Sequence, residues 1–124
     1  MDGKKLLIVD DDINMNKALK DVLEREGFTC ISVYDGKEAV DTAKSERPDL
    51  ILLDLILPMG RGEVVYAQLK QLLVTSRIPI LILTGETLEN LAEFVANKNI
   101  PQEDVFTKPL NFEQLVLRIK ELMS

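Results

Sequence analysis

Asp10, Asp11 and Asp12 stand in a row directly after the apolar run Leu6-Leu7-Ile8-Val9, and a second apolar run, Leu50 to Leu53, also ends in an aspartate, Asp54. A third run, Ile80 to Leu83, ends in Thr84-Gly85, and a weaker one, Asp104 to Thr107, ends at Lys108-Pro109. Converging carboxylates repel one another unless a cation joins them, and hard oxygen donors of this kind suit Mg2+ with its near-octahedral, partly hydrated shell. With part of that charge neutralised, one carboxylate can attack a phosphoryl group and form an aspartyl phosphate. Lys108 and the Thr84 hydroxyl are the groups that would contact the phosphoryl oxygens, in a transfer that needs chiefly positioning and charge stabilisation.

These residues can meet only if the runs that carry them lie side by side. Short, wholly apolar runs read as strands buried on both faces, as in a parallel sheet. Between them the apolar spacing becomes helical: Ala18, Leu19, Val22 and Leu23 up to Gly27; Ala39, Val40 and Ala43 up to Pro48; Val64, Val65, Leu69, Leu72 and Leu73; Leu88, Leu91, Ala92 and Val95; and Phe112, Leu115, Val116, Ile119 and Leu122 behind Asn111 as N-cap. With Phe28 to Val33 as a further strand, five strands alternate with five helices, which predicts a parallel sheet covered on both faces. In such a sheet ligands bind beyond the carboxyl ends of the strands, where Asp10, Asp11, Asp54, Thr84 and Lys108 all fall. Gly62 and Gly85 read as positions needing positive φ or close approach of a ligand.

Composition narrows the chemistry. The 124 residues hold 15 Lys plus Arg against 21 Asp plus Glu, a net charge of −6, the wrong sign for binding nucleic acid directly. With no histidine, a Ser-His-Asp triad, a Cys-His pair and a His-ligated zinc site are excluded. The single Cys30, in an apolar run, reads as a small core residue, and its solitude fits a reducing cytoplasm. No run approaches the ~20 apolar residues of a membrane span.

The segments Leu7-Ile8-Val9-Asp10-Asp11, Pro48-Asp49-Leu50-Ile51-Leu52-Leu53-Asp54, Leu57-Pro58 with Gly62, Leu83-Thr84-Gly85 and Thr107-Lys108-Pro109 together resemble the receiver domains of bacterial two-component response regulators, including the stand-alone chemotaxis type. The resemblance covers residues 1–124 as a single domain. It implies a flavodoxin-like sheet of order 2-1-3-4-5 and a cytoplasmic signalling switch, either stand-alone or the receiver of a longer protein. By similarity Asp10 and Asp11 are the metal-binding acid pair, Asp54 the phosphoacceptor and further ligand, and Ile56 the residue whose backbone carbonyl completes the Mg2+ shell. Thr84 and Lys108 take the switch-hydroxyl and phosphate-contacting roles, and the Lys108-Pro109 bond is cis. The resemblance implies a sensor histidine kinase or histidine phosphotransfer protein as partner. Output, or a homodimer, would use the face from the fourth helix to the fifth strand. The domain would catalyse its own phosphorylation and dephosphorylation rather than turn over a separate metabolite.

Several positions depart from that pattern. Val105 stands where the family usually has an aromatic that rotates on activation, Arg61 where an Asp is common, and Asn97 to Glu103 replaces a short Gly-Ala entry to the last strand. These keep open a pseudo-receiver that binds partners without phosphorylation. Val9-Asp10-Asp11-Asp12 also resembles the Asp-x-Asp signature of haloacid-dehalogenase-type phosphatases, with Asp10 as nucleophile, a reading that leaves Asp54 without a role.

Overall fold

The computed structural model describes residues 3–57 and 62–124. Pro58 and Arg61, singled out in the sequence, lie outside the described residues, as does the side chain of Leu88. Five parallel strands, β1 (Lys5–Val9), β2 (Thr29–Val33), β3 (Leu50–Asp54), β4 (Ile80–Thr84) and β5 (Val105–Thr107), form one sheet of order β2-β1-β3-β4-β5. They alternate with α1 (Ile13–Arg25), α2 (Gly36–Glu46), α3 (Gly62–Gln71), α4 (Leu88–Asn97) and α5 (Phe112–Met123), as the sequence predicts. A short 3-10 turn, Gln102–Asp104, leads into β5.

Strand side chains alternate between faces, and each face has its own helices. Leu6, Ile8, Leu50, Leu52, Leu81 and Leu83 pack with Leu19 and Leu23 of α1 and Leu115 and Ile119 of α5. Leu7, Val9, Ile51, Leu53 and Ile82 pack with Ala39 of α2, Val65 and Leu69 of α3, and Leu91 of α4. Because both faces are covered, every residue of β3 and β4 is buried, which is why those runs carry no polar alternation.

Helix ends follow local chemistry. Asp12, Asp35, Thr87 and Asn111 each accept a hydrogen bond from the backbone N–H three residues on, capping α1, α2, α4 and α5. Gly27, at φ 98°, follows α1 in the left-handed conformation that a glycine adopts without strain. Helix α3 is shorter than its apolar spacing predicts: it stops at Gln71, and Leu73 is 95% exposed. The buried Thr75 hydroxyl donates to the Leu69 carbonyl at 2.6 Å, closing the helix end before Leu72 and Leu73 can extend the stripe. The Lys108-Pro109 bond is cis.

Candidate functional site

The register of the sheet assembles the acids. Val9 pairs with Leu53, so Asp10 and Asp54 leave adjacent strands at the same level. On the other side Thr84 pairs with Thr107, putting Lys108 one residue beyond. Lys108 donates its backbone N–H to the Thr84 carbonyl at 2.7 Å, and its side chain reaches back across the sheet edge. Its Nζ lies 2.8 Å from Asp10 Oδ2 and 3.1 Å from Asp54 Oδ2, joining residues 98 and 54 positions away.

Each buried carboxylate has its second oxygen occupied by backbone. Asp10 Oδ1 accepts from the Asp12 N–H at 2.9 Å, and Asp54 Oδ1 from the Ile56 N–H at 3.0 Å. Asp11 is exposed, yet one oxygen from each of Asp10, Asp11 and Asp54 lies within 4.8 Å of the others. Three carboxylates against one ammonium leave a negative excess, and three hard oxygen donors at this spacing fit a Mg2+ ion. Asp12, spent on capping α1, stands apart from the group.

Burial pushes the Asp54 carboxyl above its ordinary value, and the Asp10 charge adds to the effect; the Ile56 N–H and the Lys108 ammonium oppose it. For Lys108, burial works against the charged form, but the hydrogen bond to Asp10 and the charges of Asp54 and Asp10 outweigh it and hold the ammonium above the ordinary lysine value. Lys108 therefore stays charged at neutral pH, while burial disfavours the charged form of Asp54. A divalent ion would favour the ionised, nucleophilic form.

Thr84 is buried at the same edge, but its hydroxyl accepts from the Glu86 N–H at 2.9 Å and makes no hydrogen bond to the acids. Ile56 shows Asp54 its N–H, and its half-exposed side chain borders an open hollow of about 400 Å3 shared with Glu63, Glu86 and Asn90. The Asn90 side chain donates to Glu86 at 3.1 Å. Cys30 is buried on the sheet face away from this hollow, its thiol pushed up to about 12, chiefly by burial, as an inert core residue requires. Gly62 is needed for close approach, although to its own chain: a Cβ there would meet the backbone of Asp54 and Leu55.

Val105 is half-buried beside a hollow of about 270 Å3 that Ala92, Ala96 and Ile100 also line. Among the described residues an aromatic contact lies elsewhere, between Tyr66 of α3 and Phe94 of α4, edge to face at 5.5 Å. Sequence reasoning also passed over Asn16, which is wholly buried in α1. It lies three residues before Leu19 and seven before Leu23, on the stripe that faces the sheet, and that spacing was the available signal.

A doubly wound parallel sheet with a charged crevice at its carboxyl edge defines the flavodoxin-like class. Within that class the chain belongs to the response regulator receiver domain family, which matches residues 6–120. It is 37% identical over 121 residues to the alkaline phosphatase synthesis transcriptional regulatory protein PhoP of Bacillus subtilis, covering 98% of this chain and 49% of that protein. It is 35% identical to the transcriptional regulatory protein CpxR of Escherichia coli, covering 96% and 49%. The chain thus spans about half the length of these curated relatives. Among solved structures it resembles the chemotaxis response regulator CheY4 of Vibrio cholerae, with a TM-score of 0.83, 28% identity and 96% and 98% of the two chains covered. The signal receiver domain of a DNA-binding response regulator from Colwellia psychrerythraea gives a TM-score of 0.84 at 29% identity, covering 97% and 98%. No described helix is long and apolar enough to cross a membrane.

Proposed function

We propose that this domain is a cytoplasmic, phosphorylation-dependent switch of a two-component system, in which Asp54 accepts a phosphoryl group from a sensor histidine kinase or histidine phosphotransfer protein. The observation that carries this reading is the Lys108 ammonium held between Asp10 and Asp54, with Asp11 in the same cluster. Asp10, Asp11, Asp54 and the Ile56 backbone carbonyl would hold Mg2+, which when bound supplies positive charge to the phosphoryl oxygens. An Asp54 carboxylate oxygen attacks phosphorus; the new P–O bond forms as the P–N bond to the donor imidazole breaks, and the electron pair leaves with the nitrogen. The chain has no histidine, so the donor is external to it.

Lys108 needs only to exchange a carboxylate for a phosphoryl oxygen, and Thr84 to turn its hydroxyl from the Glu86 N–H toward the new group. The second exchange pulls on the segment that leads into α4, and so alters the face between α4 and β5 to which an output partner or a second copy of the domain would bind. Asp54, rather than Asp10, is the acceptor in this reading: the Asp10 side chain has no solvent contact, whereas that of Asp54 retains 6%.

Incubation with acetyl phosphate and Mg2+, followed by intact-mass measurement, tests the proposal. One phosphoryl group on the wild type and none on Asp54→Asn is expected. No adduct on the folded wild type would instead leave a phosphorylation-independent interaction module. A phosphoryl group that persists on Asp54→Asn and disappears in Asp10→Asn would favour the phosphatase-like chemistry. The exposed Ile56 side chain beside Asp54 should slow the approach of hydrolytic water. Ile56→Asn is therefore expected to shorten the phosphoryl lifetime several-fold, and an unchanged or longer lifetime in the variant removes that role.

A further inference from the structure

Asn16 spends its whole donor capacity on the strand ends beneath the acids. Its side-chain Nδ2 donates to the Asp10 carbonyl and to the Val33 carbonyl, each at 3.0 Å. Two acceptors facing one end of the amide require that end to be the NH2 group. Its Oδ1 is left buried with no hydrogen-bond partner among the described residues. A buried carbonyl oxygen without a partner loses its hydration and gains nothing in return. For packing alone, an apolar residue like Leu19 and Leu23 on the same stripe would serve better.

The carbonyls it holds explain what the amide contributes. Beyond Val9 the β1–β2 ladder weakens: the Asp10 N–H reaches the Val33 carbonyl only at 3.3 Å. The Asn16 side chain reinforces that last rung and supplies a donor to the Asp10 carbonyl at the point where β1 leaves the sheet. The Asn16 backbone N–H donates to the Asp12 carbonyl at 2.9 Å, and the Asp12 N–H returns to Asp10 Oδ1. One residue therefore grips the chain on both sides of Asp11, the exposed and otherwise least restrained member of the acid cluster.

We infer that Asn16 is the positioning residue of the acid pair, fixing the backbone of Asp10 to Asp12 so that Asp11 is presented to the cation beside Asp10 and Asp54. This rests on the proposed metal site. Groups that orient ligands without touching the metal typically change affinity 10- to 100-fold, and Asn16→Leu, which preserves size and removes both donors, should weaken Mg2+ binding about 10-fold. Asn16→Ser, which keeps one hydroxyl donor, should recover part of the loss.

Mg2+ is titrated against the amide resonances of Asp11, Asp12 and Ile56 in wild type and both variants, and unfolding is measured separately in EDTA to isolate any purely structural cost. Weaker binding in variants that remain folded, with the Ser variant between the other two, is the expected result. Wild-type affinity in the folded variants overturns the inference alone. A wild type that binds no Mg2+ overturns the metal site and the inference together. Should Asn16→Leu fail to fold, Asn16→Ser against wild type decides by the same criterion.

Discussion

Replacing Gly62 with alanine is expected to destabilise the domain by about 3 kcal/mol or more, the upper part of the range for overpacking, a fall in Tm of roughly 10 °C at this size. The added methyl would collide with the Leu55 Cα and lie 2.6 Å from both the Asp54 carbonyl oxygen and the Leu55 carbonyl carbon. All three are backbone atoms, so no rotamer change can relieve the contact. The Gly62 N–H also donates to the Leu55 carbonyl at 2.9 Å, tying the start of α3 to the chain just after the proposed phosphoacceptor. Relief requires α3 to retreat or the Asp54 to Ile56 backbone to shift, and the second course breaks the Ile56 N–H bond to Asp54 Oδ1. Phosphorylation by acetyl phosphate should fall along with the urea midpoint. Gly85→Ala is the control: nothing lies within 4 Å of a Cβ there, and its stability should stay within about 0.5 kcal/mol of wild type. Equal midpoints for Gly62→Ala and wild type would refute the close-approach argument.

Most of the fold was legible because apolar runs without alternation and helical stripes with caps carry different periods, and their alternation admits few arrangements. The acid cluster was legible for the same reason: Asp10, Asp54 and Lys108 each terminate a buried strand, and topology alone brings strand ends together. What escaped was polar and buried. Asn16 and Thr75 read as surface residues by type, and each is buried because a backbone carbonyl needs its donor. The end of α3 was overrun since Leu72 and Leu73 fit the helical spacing, while the Thr75 hydroxyl that ends the helix acts through a hydrogen bond that periodicity does not register. Thr84 ends β4 at the carboxyl edge of the sheet, as its place after an apolar run predicts, but its present partner, the Glu86 N–H, follows from a local turn rather than from any pattern of spacing.

Lys108→Ala is expected to cost the metal-free domain about 3 kcal/mol at pH 7, the lower end of what removing one partner of a buried ion pair costs, because the lysine side chain is 21% exposed. The loss should depend on pH at both ends. The Lys108 ammonium is held above its ordinary value in the folded state, so its contribution is complete below about pH 10, the ordinary lysine value, and disappears as pH rises through the folded one. At the acid end Asp54 governs. Its carboxyl is held above the ordinary value, so the folded protein takes up that proton before the unfolded chain does, and stability falls as pH rises from about 4 through the raised value. Below that window Asp54 is neutral and needs no counter-charge, so the gap between variant and wild type should narrow, the Lys108 contact to Asp10 at 2.8 Å remaining. Urea unfolding in EDTA from about pH 3 to about pH 12, a range that spans the ordinary carboxylate and lysine values, measures both arms, and a variant as stable as wild type at pH 7 would show that the lysine does not neutralise the cluster. Saturating Mg2+ should restore much of the lost stability, since a divalent charge among Asp10, Asp11 and Asp54 relieves the same repulsion. It should not restore phosphoryl transfer, which is expected to remain slower on the order of 100-fold, as for loss of one contact to developing charge. That separation distinguishes two roles of Lys108: the ion can replace it as a counter-charge to the carboxylates, but not as a donor to the phosphoryl oxygens.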